Sequence, residues 1–153
     1  MNILLPYRNK LHRAARGALF LLVGGVAVNF TPLNAETSIL MVSSLFSEDQ
    51  ARRGGVVLET HCAVCHGAQL TGGGGSPPLQ GPDFLFGWSA KTTTELVEYI
   101  STSMPPGQGH SLSDQQYEDV TAYILGANGF PAGQTLLTPE NPKPIGEPPE
   151  TAQ

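Results

Sequence analysis

The sequence predicts an all-α fold in which short helices are joined by long loops. Three observations predict it. Polar capping patterns open three stretches, at Ser47, Thr92 and Ser113. In the third of these, the apolar residues recur at helical spacing. The 18 glycines and 13 prolines gather mostly outside the helical stretches, where they mark turns and loops. A chain of 153 residues with a 40% hydrophobic fraction has room for one small domain with extensions.

Residues 1–35 read as a secretory signal peptide. Arg8, Lys10, Arg13 and Arg16 form a positive start, and Ala18 to Val28 form an apolar run of 11 residues. That run is short for a membrane span, and a more polar stretch follows it. The best cleavage point is after Ala35, although Leu33 is large for the −3 position. An uncleaved N-terminal anchor is the alternative. Residues 36–46 form a mixed leader without a period, expected to pack as an arm or stay loose.

The first helix is expected from Ser47 to about Thr60, with Gln50 completing the capping box. Glu48 and Asp49 occupy the first turn, where the helix dipole favours acids. Gly54 and Gly55 cost about 1 kcal/mol each relative to alanine. Close approach by a second helix would explain them, and a simple weakening of the first turns would too.

Cys62-Ala63-Val64-Cys65-His66 follows directly. This is the C-x-x-C-H pattern of covalent haem attachment. Two thiols three positions apart on one helical turn reach the vinyl groups on one side of a porphyrin. The adjacent histidine is then held under the iron as its proximal ligand. Competing uses of the residues lack their context. A dithiol redox motif needs a βαβ unit, and a structural zinc site needs a second ligand pair. The chain has only two cysteines.

Residues 67–87 show little periodicity and read as loop. The run Gly72–Gly75 lacks the Lys-Ser/Thr of a phosphate loop. Leu79, Phe84, Leu85, Phe86 and Trp88 are the nearby apolar residues, and some of them are expected to line the haem. Thr92 and Glu95 box a second helix, ending near Ser103. Met104-Pro105-Pro106-Gly107 then forces an extended, turning backbone. Ser113 and Gln116 open a third helix to about Ala127, with Tyr117, Val120 and Tyr123 or Ile124 on its apolar face. Gly126, Asn128 and Gly129 mark its end. Residues 134–153 are rich in proline and acids, and are expected to be extended or disordered.

Met104 is the expected second axial ligand. Its rigid loop lies far enough along the chain to cross the ring. His/Met ligation raises the reduction potential and leaves no open iron position. His110, in the same loop, is the rival ligand. His110 and His61 otherwise read as surface histidines, and Met41 is a poor competitor.

All 13 acids lie at or after Glu36, with only four bases beyond that point, a net charge of −9 over residues 36–153. A body this acidic argues against nucleic acid as a partner. It favours redox proteins with a basic docking face.

On Cys62, Cys65 and His66, then Met104-Pro105, then the Tyr117–Leu125 helix with Asn128-Gly129-Phe130-Pro131, the chain resembles the class I cytochrome c family. The resemblance covers about residues 48–133, within a domain drawn at 47–133. It is closest to bacterial periplasmic cytochromes c that serve quinoprotein (PQQ) alcohol dehydrogenases. It implies a small helical bundle around one covalently attached haem c, with the first and last helices crossing at Gly54. It also implies a proline carbonyl that accepts a hydrogen bond from the proximal imidazole, with Pro78 as the matching residue. Pro78, Leu79 and Trp88 are the expected pocket residues.

The expected function is a periplasmic monohaem carrier of single electrons between a dehydrogenase-type donor and a respiratory acceptor, with a quinoprotein dehydrogenase and a terminal oxidase as the candidate partners. The alternatives are an obligate subunit of a quinoprotein dehydrogenase complex and a haem sensor or enzyme with an open iron site.

Overall fold

The computed structural model describes residues 44–150. The signal segment 1–35, most of the leader and the last three residues lie outside the described residues. The helices are α1 (Glu48–Val57), α2 (Ala63–His66), α3 (Pro82–Trp88), α4 (Thr93–Ser103) and α5 (Asp114–Ala127). A π-helical turn, Leu58–Cys62, joins α1 to α2. The first helical stretch therefore runs past Thr60 and carries both cysteines and His66. Among the described residues there are no strands, only isolated bridges such as Ser47 with Gly133.

All three capping boxes form. Ser47 with Gln50, Thr92 with Glu95 and Ser113 with Gln116 each satisfy backbone donors in both directions. α3 falls in the stretch expected to be loop. Pro82 takes the first helical position, where a missing N–H costs nothing, after Gly81 at positive φ. At seven residues, it is too short for a periodic signal.

The crossing of α1 and α5 organises the bundle. Gly54 sits so close to α5 that a Cβ there would overlap the Asp119 carbonyl. Gly55 faces the Tyr123 ring, 3.1 Å from where its own Cβ would lie. Glycine at 54 is thus required by close approach, which decides between the two sequence-level explanations. Beside the crossing, the Arg53 guanidinium donates twice to Asp119, at 2.7 Å to each carboxylate oxygen. Asp119 is buried while Arg53 reaches the surface. This fork joins the two helices with matched planar geometry.

Residues 134–150 are extended, and they are packed rather than loose. Leu137 and Ile145 are buried in the core. The Gln50 side chain grips the Leu137 backbone on both sides: Nε2 donates to its carbonyl at 2.8 Å and Oε1 accepts from its N–H at 2.9 Å. Farther on, Ile145 N donates to Lys91 O and Gly146 N to Ser89 O. The described end of the leader is equally committed. Leu45 and Phe46 are buried, and Phe46 O accepts from Gly133 N at 3.0 Å. Composition predicts flexibility for a proline-rich tail. A few apolar side chains and backbone donors at the right places override it.

Candidate haem site

The π turn and α2 bring Cys62, Cys65 and His66 to the wall of a cavity of about 440 Å³, within the range of about 300–1,000 Å³ usual for cofactor sites. Pro78, Leu79, Trp88 and Met104 line the same cavity. Residues spread over more than 40 positions thus meet around one space. The other walls are mostly apolar. They include Phe84 of α3, Leu96 and Ile100 of α4, and Tyr117, Val120 and Ile124 of α5.

His66 is 7% exposed. Its Nδ1 lies 2.8 Å from the Pro77 carbonyl. A carbonyl only accepts, so Nδ1 carries the proton and donates it. Nε2 is then the nitrogen free to bind a metal, with its lone pair available. The accepting proline is Pro77 and not Pro78. Pro78 remains a wall residue, and Pro77 lines the cavity beside it as well as accepting from His66. No sequence signal separates adjacent prolines here, because the choice depends on how the segment turns back over α2.

Cys65 is exposed and Cys62 is half-buried. Burial raises the Cys62 pKa, and the neighbouring Cys65 adds to the shift. Cys62 therefore stands beside the cavity as a neutral thiol at neutral pH. Among the described residues no group of three or more His, Cys, Asp or Glu is placed to hold a metal ion. The donors here suit an iron that arrives within a ring: two thiols for its edge, one imidazole and one thioether.

Met104 follows directly after α4, and its backbone is tied at both ends. Its N–H donates to Ile100 O at 2.9 Å, and its carbonyl accepts from the Tyr117 hydroxyl at 3.1 Å. The same hydroxyl accepts from Leu112 N at 3.3 Å, which closes the 104–112 loop onto α5. His110 is exposed and does not line the cavity. Its backbone is at positive φ, with its N–H donating to Ser101 O. His61 does line the cavity, against the expectation of a surface histidine. Phe86 points away and is 93% exposed. Tyr117 and the other α5 wall residues were legible as an apolar helical face. Tyr99 and Asp83 carried no signal that would have assigned them to the wall.

A family model described as "Cytochrome C oxidase, cbb3-type, subunit III" matches residues 49–124, from α1 through most of α5. The chain belongs to the class I cytochrome c family. Its cofactor is haem c, and its general role is electron transfer. The cytochrome is 40% identical over 79 residues to a thiosulfate dehydrogenase of Stutzerimonas stutzeri, covering 47% of this chain and 25% of that protein. It is 31% identical over 78 residues to the cbb3-type cytochrome c oxidase subunit CcoP of Cereibacter sphaeroides, covering 50% and 27%. A solved thiosulfate dehydrogenase, TsdBA of Marichromatium purpuratum, shares 32% identity over 48% of this chain and 17% of that one, with a TM-score of 0.40. The cytochrome spans about a quarter of the length of the two curated relatives. No helix among the described residues is long and apolar enough to cross a membrane.

Proposed function

We propose that this cytochrome is a periplasmic carrier of single electrons, exported by the signal segment 1–35. In this proposal Cys62 and Cys65 would hold one haem c by thioethers, and His66 and Met104 would supply the protein donors to its iron. The observation that carries the proposal is the convergence of all four residues on one apolar cavity. Bound there, haem c supplies a one-electron iron couple. The chain's own residues keep that couple confined to electron transfer. Pro77 holds His66 in the tautomer that leaves Nε2 free. Tyr117 holds the Met104 loop against α5. The apolar walls limit water at the ligands.

With His66 and Met104 both holding the iron, the reduced protein would show no spectral change under carbon monoxide. A clear carbon monoxide adduct of the native protein would overturn the His66/Met104 assignment and favour the open-site reading.

The partners we propose are a periplasmic dehydrogenase as donor and a respiratory oxidase as acceptor. The names of the relatives, thiosulfate dehydrogenase and oxidase subunit, support redox proteins as a class. A quinoprotein dehydrogenase remains the donor suggested by the Met104 loop and the Asn128–Gly133 ending. Val64, at the cavity, is 89% exposed and offers an apolar contact for a short-lived complex. The acidic body should steer a basic partner. Electron transfer to such a partner should slow severalfold between about 0.01 M and about 0.15 M salt, as the screening length shortens from about 30 Å to about 8 Å. A rate indifferent to salt would remove charge as the guide.

A second arrangement, a cytochrome subunit within a larger dehydrogenase complex, is favoured by one observation. The matched stretch is a minor part of longer redox proteins. Stable co-purification with a large catalytic subunit would establish it.

A further inference from the structure

We propose that Asn128 is a positioning residue for the proximal imidazole. From the C-terminus of α5 it places the diproline segment whose carbonyl orients His66. The proposal rests on His66 being an iron ligand.

Asn128 is 8% exposed, and its amide is fully used. Nδ2 donates to Leu79 O at 2.9 Å and to Ile124 O at 2.8 Å, and Oδ1 accepts from Gly81 N at 2.9 Å. A residue that merely ended α5 would bond its own helix. Here two of three bonds cross 47 and 49 positions to the loop before α3. The pattern needs two donors and one acceptor at one length, which asparagine provides and aspartate does not.

Leu79 is pinned from both sides, since its N–H also donates to Leu70 O at 2.8 Å. Immediately upstream are Pro78 and Pro77. Neither has an N–H to donate, and each ring holds φ near one value. The short stretch from Leu79 back to the Pro77 carbonyl therefore has little slack. On the other side lies the exposed turn Gly73–Gly75, with Gly74 and Gly75 at positive φ. That turn closes on itself through Gly73 N to Ser76 O at 3.2 Å and Ser76 N to Gly73 O at 2.8 Å, and Gly72 N donates to His66 O at 2.9 Å, so Leu79 is the one anchor that ties the diproline segment to α5. Displacing Leu79 therefore moves the carbonyl that accepts from His66 Nδ1. A weaker bond there makes the imidazole a poorer donor to its metal.

The test uses the haem-loaded protein and compares Asn128→Ala with Gln50→Ala. Gln50 grips the tail and does not line the cavity. Two readouts are taken: solvent exchange of the His66 Nδ1 proton by NMR, and the midpoint potential. In Asn128→Ala the exchange is expected to quicken about fivefold, as a hydrogen bond of ordinary net strength is weakened, and the potential to rise. Gln50→Ala should lower thermal stability and leave both readouts as in the native protein. If Asn128→Ala does not fold, Asn128→Ser serves in its place.

Native exchange and potential in a folded Asn128 variant would overturn the inference, as would equal shifts in Gln50→Ala. Native protein whose His66 ring shows no iron-shifted resonances would instead overturn the ligand assignment, and this inference with it.

Discussion

Met104→Ala is expected to lower the midpoint potential by about 100 mV or more, within the span of about 0.8 V that axial ligands control. The thioether is a soft, neutral ligand, and His/Met pairs sit high among haem sites. The haem should stay attached, because Cys62 and Cys65 are untouched. A potentiometric titration gives the shift, and a haem stain after denaturing electrophoresis checks attachment. The reduced variant should also gain the carbon monoxide binding that the native protein is expected not to show. An unchanged potential would take Met104 off the iron. His61 would then be the residue to change next, since it lines the cavity and His110 does not.

Gly54→Ala should be the most damaging small substitution in the bundle. The added Cβ would overlap backbone, the Asp119 carbonyl, and would come within 2.9 Å of Tyr123 Cβ. Backbone cannot rotate out of the way as a side-chain end can. The α1–α5 crossing must open, and the Arg53–Asp119 fork beside it must shift. Overpacking of this kind costs about 3 kcal/mol or more when repacking is blocked. For a domain near 100 residues that corresponds to roughly 10 °C or more in thermal midpoint. Gly87→Ala is the contrasting substitution. It lies in α3 with nothing within 4 Å of the new Cβ and without positive φ. It should stabilise by up to about 1 kcal/mol through helix propensity. Thermal unfolding of both haem-loaded variants gives the comparison. A Gly54→Ala protein as stable as the native one would mean that the helices separate at no cost.

Much of the bundle was legible because its signals are local. Each capping box needs only four consecutive residues, and all three form where Ser47, Thr92 and Ser113 stand. The apolar face of α5 needed only helical spacing. Gly54 was legible as an anomaly, a costly residue inside a helix; its cause stood open between two explanations on the residues alone, and the cytochrome resemblance implied the helix crossing that the structure shows.

Where the sequence reading fell short, the deciding contacts lie far apart in the chain. α3 depends on Gly81 and Pro82, which read locally as loop, yet Asn128 holds the Gly81 N–H from 47 positions away. The tail is ordered by Gln50 gripping Leu137 across 87 positions. Pro77 rather than Pro78 accepts the hydrogen bond from His66 Nδ1, in a segment whose Leu79 end is held by Leu70 and Asn128.

The sequence by itself determined the chemistry of the site. Two thiols and a histidine at C-x-x-C-H spacing specify covalent haem, and a methionine in a diproline loop is the soft donor proposed for its iron. Such groups act through their own atoms, and spacing along one turn is enough to present them. Only the tertiary structure decided which carbonyl orients the imidazole, which histidine faces the cavity and whether the proline-rich tail is packed. Those outcomes depend on hydrogen bonds and contacts that exist only once distant segments have been brought together.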